Sequence, residues 1–138
     1  MDMTRVGEAP VPYDPAALPV VLDSVILIDY LNGIPHAKAE LARHRAPVIS
    51  IITRMEVLVG CADAREVSVV EGFLAGFTTI PLEGAIAAEA VRLRRDRRLR
   101  LPDAVIYATA RCRSAVLVTR NERDFPTAWP DVRIPYRI

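Results

Sequence analysis

The sequence predicts an α/β protein in which a central, mostly parallel sheet is covered by helices on both faces. Short, wholly apolar runs alternate with longer helical segments, and this alternation is typical of parallel sheets. The clearest run, Ala115 to Val118, is apolar at every position, as expected of a strand buried on both faces. The polar loop 119–125 follows it. Ligands bind beyond the carboxyl ends of strands in such sheets, so this loop is the first candidate for a functional site.

Length and composition indicate one globular domain. The chain has 138 residues, of which 51% are hydrophobic and 25% charged, and its net charge is +1. This length suffices for a substantial core, and no overall positive field favours nucleic acid. The apolar run from Val20 to Leu31 is interrupted by Asp23 and Asp29, so it does not predict a membrane span. The acidic, proline-broken N-terminus does not resemble a signal peptide, and we expect a cytoplasmic protein.

The predicted elements follow one another in a regular order. Residues 1–19 are rich in proline and are predicted to form an N-terminal arm before a domain at 20–138. Strands are predicted at Val20–Leu22, Pro47–Ile51, Thr78–Ile80 and Ala115–Val118, with a short edge strand at Val132–Ile134. Helices are predicted at about 24–31, 35–45, 53–60, 64–75 and 83–99, and from Leu101 onward.

Four acidic residues stand at comparable places in this scheme. Asp23 ends the first strand, and Asp124 lies in the loop after the fourth. Glu56 and Asp103 are each predicted in the first turn of a helix. All four would face the carboxyl edge of a parallel sheet. Each also has a structural explanation: a helix N-cap for Asp23, a capping box between Thr53 and Glu56, compensation of the helix dipole by Asp103, and an Asx turn at Asp124.

Four carboxylates in one cleft would repel one another, and burial would raise their pKa values. A divalent cation removes that penalty. Hard oxygen ligands without histidine or cysteine select Mg²⁺ or Mn²⁺, so the acids together favour a metal site. His36 and His44 have no acid–base partners in the sequence and are expected at the surface.

Four segments form a recognisable set. They are VLDSVILIDYLNG (21–33), ISIITRMEVLVG (49–60), LPDAVIYATA (101–110) and LVTRNERDF (117–125). In order and spacing they resemble the PIN-domain family, and within it the toxins of the VapC type. The resemblance covers the chain from about Val20 and implies a PIN-like three-layer α/β/α fold. It also places the family's catalytic, metal-binding acids at Asp23, Glu56, Asp103 and Asp124.

The resemblance implies a metal-dependent endoribonuclease that uses Mg²⁺ or Mn²⁺ and leaves a 5′ phosphate and a 3′ hydroxyl. Family members act as toxins of type II toxin–antitoxin systems, are held inactive by a VapB-type antitoxin and are usually dimeric. We therefore expect an RNA substrate, a cognate antitoxin and a homodimer. Ser24 and Asn121 match the family's hydroxyl and loop Asn, and with Thr119 they are expected to hold carboxylates or phosphate. Val25 departs from the pattern, because many relatives have Asn or Ser there.

Two groups of arginines are candidates for contact with RNA. Arg120 and Arg123 flank Asn121 and Asp124, which favours this pair for meeting the substrate or balancing the acids. A second, dense basic run at 92–100 ends the long predicted helix. A solvated face and the preference for cations at a helix C-terminus explain that run, and RNA phosphate contact is the alternative.

Two other functions fit parts of the sequence. One is a catalytically inactive PIN-like module that binds RNA or protein, against which the complete set of acids argues. The other is a Mg²⁺-dependent phosphoryl-transfer protein of the receiver or haloacid-dehalogenase type, since Asp23 follows the first strand. Val25 stands where the dehalogenase pattern has a second Asp. Both classes need a lysine after a later strand, and Lys38 is the only lysine.

Overall fold

The computed structural model describes residues 19–138, so the predicted arm lies outside the described residues except for Pro19. The strands are β1 (Val20–Leu22), β2 (Val48–Ser50), β3 (Thr78–Ile80), β4 (Val116–Val118) and β5 (Val132–Arg133). The helices are α1 (Ser24–Leu31), α2 (Pro35–Ala42), α3 (Ile51–Val59), α4 (Ala64–Leu74), α5 (Gly84–Arg97) and α6 (Leu101–Cys112). None of these helices is long and apolar enough to cross a bilayer.

The five strands form one sheet in the order β3-β2-β1-β4-β5, and every pairing is parallel. The prediction of a central sheet is confirmed, and the predicted strands are all present with small shifts at their ends. After β1 the chain places β2 on one side, whereas β4 joins the other side in register with β1. The order of the strands therefore reverses between β1 and β4, and loops at such a point open a cleft.

The side chains of the sheet pack into two separate hydrophobic cores, one on each face. On β1, Val21 packs into a cluster with α5 and α6. Val20 and Leu22 point the other way, into a cluster with α1, α2 and α4. This alternation follows from the two-residue repeat of a strand, and it explains why the strand has no polar face. The three-layer α/β/α fold is thereby confirmed.

Helix α3 begins earlier than predicted, which changes the local role of Glu56. Ser50 is the N-cap, and its Oγ accepts a hydrogen bond from the Ile52 N–H at 3.0 Å. Thr53 instead donates to the Leu22 carbonyl at 3.5 Å. Glu56 therefore lies in the second turn, and the predicted capping box between Thr53 and Glu56 is wrong. The start of the helix was predicted too late because Ile51 and Ile52 resemble the end of a strand, whereas Ser50 supplies the capping oxygen.

The predicted surface position is wrong for His44. Its side chain is buried, and Nε2 lies 2.7 Å from Glu40 Oε2. Arg133 also donates to this carboxylate, from Nε to Oε2 and from Nη2 to Oε1, each at 2.9 Å. Burial raises the pKa of Glu40, but these donors outweigh it and hold the pKa below its usual value. Helix α2 ends at Ala42, between Glu40 and His44. His36 is exposed, as predicted.

Candidate active site

A cleft of about 420 Å³ opens at the carboxyl edge of the sheet, beside β1 and β4. Three of the four predicted acids line it, Asp23, Glu56 and Asp103. The other lining residues are Ser24, Val25, Arg100, Arg120, Asn121, Glu122 and Arg123. The fold thus brings together residues that lie up to 100 positions apart in the sequence. It does so because β1, α3, α6 and the loop after β4 all present residues to the same edge.

Asp23 stands at the centre of this arrangement, between β1 and α1. It is the N-cap of α1, and its Oδ1 accepts from the Ser24 N–H at 2.8 Å. Its Oδ2 accepts from the Thr119 hydroxyl at 2.7 Å. Burial raises the pKa of Asp23 to about 6, with the charges of Asp103 and Glu56 adding to the rise and the two donors opposing it. The observed helix cap and the predicted functional role therefore involve the same side chain.

Ser24 joins two of the acids. Its hydroxyl donates to Glu56 Oε1 at 2.8 Å, which connects α1 to α3. The same Oγ lies 3.5 Å from Asp23 Oδ1. Glu56 is half-buried, so one oxygen is held by the protein while the side chain still borders the cleft.

Asp103 is paired with an arginine from the basic run. It lies in the first turn of α6 and is buried. Its Oδ2 accepts from Arg100 Nε and lies 3.1 Å from Arg100 Nη2. Burial raises the pKa of Asp103 and the charge of Asp124 adds to this, while Arg100 opposes it. Arg100 is itself mostly exposed, so a cation at the mouth of the cleft partly balances the acids.

The loop after β4 holds the fourth acid away from the cleft wall. The Asn121 side-chain amide donates to Asp124 Oδ2 at 2.9 Å. The Asn121 backbone N–H in turn donates to the Thr119 hydroxyl at 3.0 Å. Asp124 does not line the cleft, but its charge reaches Asp103 and Arg100. Thr119 thus connects the Asp124 side of the loop to Asp23.

Arg120 has a partner that the sequence reasoning did not identify. Its Nε and Nη2 donate to the two oxygens of Asp29 at 2.7 and 2.9 Å. Asp29 is buried on α1 and also accepts from the Tyr136 hydroxyl at 2.8 Å. Arg123, by contrast, is exposed beside the cleft. The signal for Asp29 was its isolated charge within an apolar helix, since a buried carboxylate needs donors.

The donor set suits a hard divalent cation, although the side chains do not converge on one point. Carboxylate oxygens surround the cleft, and two of the acids have raised pKa values that a cation would relieve. Within residues 19–138, no three acidic, histidine or cysteine side chains are placed closely enough to hold a metal ion. Each acid is instead held by Thr119, Ser24, Arg100 or Asn121.

Comparison with known proteins identifies the family of this fold. The family model for the PIN domain matches residues 20–128. The chain belongs to the PIN domain family. Comparison with curated protein sequences gave no match.

Solved structures with the same fold come from toxin–antitoxin complexes. One, from Klebsiella pneumoniae, is 38% identical, with a TM-score of 0.81 over 86% of this chain and 99% of the other. A DNA-bound VapBC complex from Salmonella typhimurium is 26% identical, with a TM-score of 0.69 over 84% and 96%. FitAcB from Neisseria gonorrhoeae, at 21% identity, TM-score 0.72 and coverage of 84% and 97%, shows the fold alone. This PIN domain therefore has the architecture found in VapBC-like complexes.

Proposed function

We propose that this PIN domain is a metal-dependent endoribonuclease and the toxin of a VapBC-type toxin–antitoxin pair. The observation that carries the proposal is the cleft at the β1–β4 switch point, which Asp23, Glu56 and Asp103 all line. PIN domains are generally nucleases, and the similar structures are toxin–antitoxin complexes. The RNA substrate follows from the resemblance to VapC-type toxins, and the Mg²⁺ or Mn²⁺ cofactor follows from the oxygen donors of the acids.

In this proposal Asp23 and Asp103 are direct metal ligands, and Glu56 and Asp124 ligate directly or through water. When bound, the cation would offset the negative charge of the phosphodiester and lower the pKa of a water molecule. Asp23 is held by donors on both oxygens, so its orientation is fixed before any ligand arrives. Ser24 fixes Glu56 in the same way. Such partners commonly change metal affinity by about 10- to 100-fold.

The basic residues at the cleft are proposed to contact RNA phosphates. Arg123 is exposed and lines the cleft, so it can reach the backbone of a bound strand. Arg100 lies at the mouth, where its guanidinium can exchange Asp103 for a phosphate. Arg120 lines the cleft too, but because Asp29 engages its guanidinium, we assign it a smaller share of the binding.

The partners of the domain are proposed to be a VapB-type antitoxin and a second copy of the chain. Exposed apolar side chains on α1, α3 and α4 offer a surface that a partner would cover, and they include Ile28, Leu31, Val59 and Val69. Expression of the protein alone should arrest growth, and co-expression of the antitoxin should relieve the arrest. Asp23→Ala should be harmless without the antitoxin. Equal toxicity of the two forms would indicate sequestration rather than cleavage.

Analysis of the cleavage products tests the proposed chemistry. The purified protein, stripped of metal and then supplied with Mn²⁺, should cut RNA and leave 5′ phosphates and 3′ hydroxyls. Enzymes that use the ribose 2′ hydroxyl leave cyclic phosphates instead, so this readout distinguishes the domain from contaminating ribonucleases. Cyclic ends, or cleavage that persists in chelator, would contradict the proposal.

One observation favours the alternative of an inactive binding module. The acids in the described residues do not converge on a ready metal site. If they fail to converge with metal and RNA present, the domain would bind RNA without cutting it. Retained affinity for RNA, with no products at any Mn²⁺ concentration, would identify this second function.

A further inference from the structure

The last strand of the sheet and the residues after it return to the loop beside the candidate active site. The edge strand β5 pairs with β4, and the chain continues from it to residue 138. We name residues 132–138 the closing segment. Its first contact with the site is a backbone hydrogen bond from the Thr119 N–H to the Arg133 carbonyl at 3.0 Å. Thr119 is the residue whose hydroxyl holds Asp23.

The second contact runs through a buried carboxylate. Asp29 accepts two hydrogen bonds from Arg120 and a third from the Tyr136 hydroxyl at 2.8 Å. Tyr136 is buried, and its ring stacks on His36 with the centroids 5.5 Å apart. These donors outweigh burial and keep the pKa of Asp29 below its usual value. Asp29 is thus an ionised side chain that ties α1, the loop and the closing segment together.

The third contact is a surface ion pair. Arg137 Nε donates to Glu122 Oε2 at 2.6 Å, and Nη2 donates to Oε1 at 3.0 Å. Both residues are exposed, and exposed pairs contribute little to stability. The pair nevertheless shows that the closing segment runs along the loop. Thr119 and Glu122 are bonded directly to this segment, and Arg120 is linked to it through Asp29.

The contact between Arg120 and buried Asp29 affects two of the acids because of where Arg120 lies in the loop. Arg120 lies between Thr119, which holds Asp23, and Asn121, which holds Asp124. A guanidinium held at two of its three nitrogens restricts the loop at that point, because its planar fork is rigid. Displacement of Arg120 would therefore move the supports of two acids at once.

We propose that the closing segment holds the loop 119–125 in its site-forming conformation, with Tyr136 and Asp29 acting as positioning residues. The consequence for metal affinity rests on the proposed nuclease function, whereas the effect on the loop does not. Among residues 19–138, the Tyr136 hydroxyl donates to Asp29 rather than to any of the four acids, and it acts through Asp29 and Arg120.

The test compares Tyr136→Phe with the wild-type protein and with Tyr30→Phe as a matched control. Tyr136→Phe removes only the hydroxyl that donates to Asp29. Tyr30 is also aromatic and lies on α1, but its ring stacks on Phe73 of α4, away from the loop. Asp29→Asn is a second variant of nearly unchanged size, so the test does not depend on one protein folding.

Amide hydrogen exchange of the metal-free protein gives the direct readout. The Asn121 and Phe125 amides are hydrogen-bonded within the loop. They should exchange about tenfold faster in Tyr136→Phe, as expected for loss of a hydrogen bond to a charged group. Amides of α6 should be unchanged, and Tyr30→Phe should match the wild type. Equal acceleration in the loop and in α6, or none in the loop, would overturn the proposal.

Mn²⁺ titration supplies the second readout. Tyr136→Phe should bind Mn²⁺ roughly tenfold more weakly, the size expected when a supporting residue is lost. A wild-type protein that binds no Mn²⁺ would contradict the proposed function, while hydrogen exchange would still decide the role of the closing segment. Loosening of the loop with unchanged Mn²⁺ affinity would overturn the positioning role.

Discussion

The Thr119 hydroxyl donates a hydrogen bond to Asp23 Oδ2 at 2.7 Å, across 96 positions of sequence. Both side chains are buried, and Asp23 is the acid in the cleft whose pKa is raised to about 6. Thr119 therefore counteracts the effect of burial on the pKa of Asp23 and favours the charged form, which is the form that would bind a cation under the proposed function.

Thr119→Val should raise the pKa of Asp23 further. Valine has nearly the same shape, so the variant removes a donor without opening a cavity. A hydrogen bond to a charged group corresponds to roughly one pKa unit. The midpoint of Mn²⁺ binding against pH should thus move up by about one unit, as measured by calorimetry.

Thr109→Val is the matched control for this variant. Thr109 is equally buried, but its hydroxyl donates to the Val105 carbonyl within α6. Its pH profile for Mn²⁺ binding should match the wild type. A common shift in both variants would trace the effect to general loss of stability, and an unshifted Thr119→Val would refute the stated role of the hydroxyl.

Asp23→Asn should stabilise the metal-free protein at neutral pH. The folded-state pKa of Asp23 rises from its ordinary 3.8 to about 6, so the folded state binds the proton more tightly than the unfolded state. Ionised Asp23 therefore costs stability as pH rises from about 4 to 6, and the cost is then constant. In urea unfolding with chelator at pH 7, the free energy of unfolding of the variant should exceed that of the wild type by up to about 3 kcal/mol.

The difference between Asp23→Asn and the wild type should shrink to near zero at pH 4, where both side chains are neutral. Added Mn²⁺ should reverse it at pH 7, because the cation stabilises only a folded protein that can bind it. If the wild type is more stable than Asp23→Asn in chelator at pH 7, burial of the ionised Asp23 carboxylate does not destabilise the folded protein, and the prediction is wrong.

Arg100→Ala should change RNA binding differently from Arg95→Ala. Both arginines belong to the basic run, but Arg100 lines the cleft and Arg95 lies exposed on α5 outside it. In a Glu56→Gln background that does not cleave, loss of one phosphate contact should flatten the log–log salt dependence of affinity by about one unit. Only Arg100→Ala should do so. The reverse order would place the RNA path along α5.

The sequence predicted the sheet and the edge at which three of the four acids line the cleft, because both depend on local signals. Apolar runs such as Ala115 to Val118 identify buried strands, and acids after strands identify a shared edge. The boundaries were less accurate, since one hydroxyl decides them: Ser50 caps α3 and so places Glu56 one turn later than predicted.

The partners of charged residues could not be predicted, because they lie far apart in sequence. Arg120 was expected to serve phosphate or the acids, and it binds Asp29, 91 positions away. His44 was expected at the surface, and it is buried beside Glu40 with Arg133 close by. Such pairs depend on how helices dock on the sheet, which residue patterns do not specify.

The most direct measurement is RNA cleavage by Asp103→Asn beside Asp96→Asn, each stripped of metal and supplied with Mn²⁺. Asp103 is buried at the cleft, whereas Asp96 is an exposed acid on α5 outside it. The proposed site predicts that Asp103→Asn loses nearly all cleavage and binds Mn²⁺ weakly while remaining folded by circular dichroism. Asp96→Asn should behave as the wild type. Equal cleavage rates for the two variants would contradict the assignment of the cleft as the catalytic metal site.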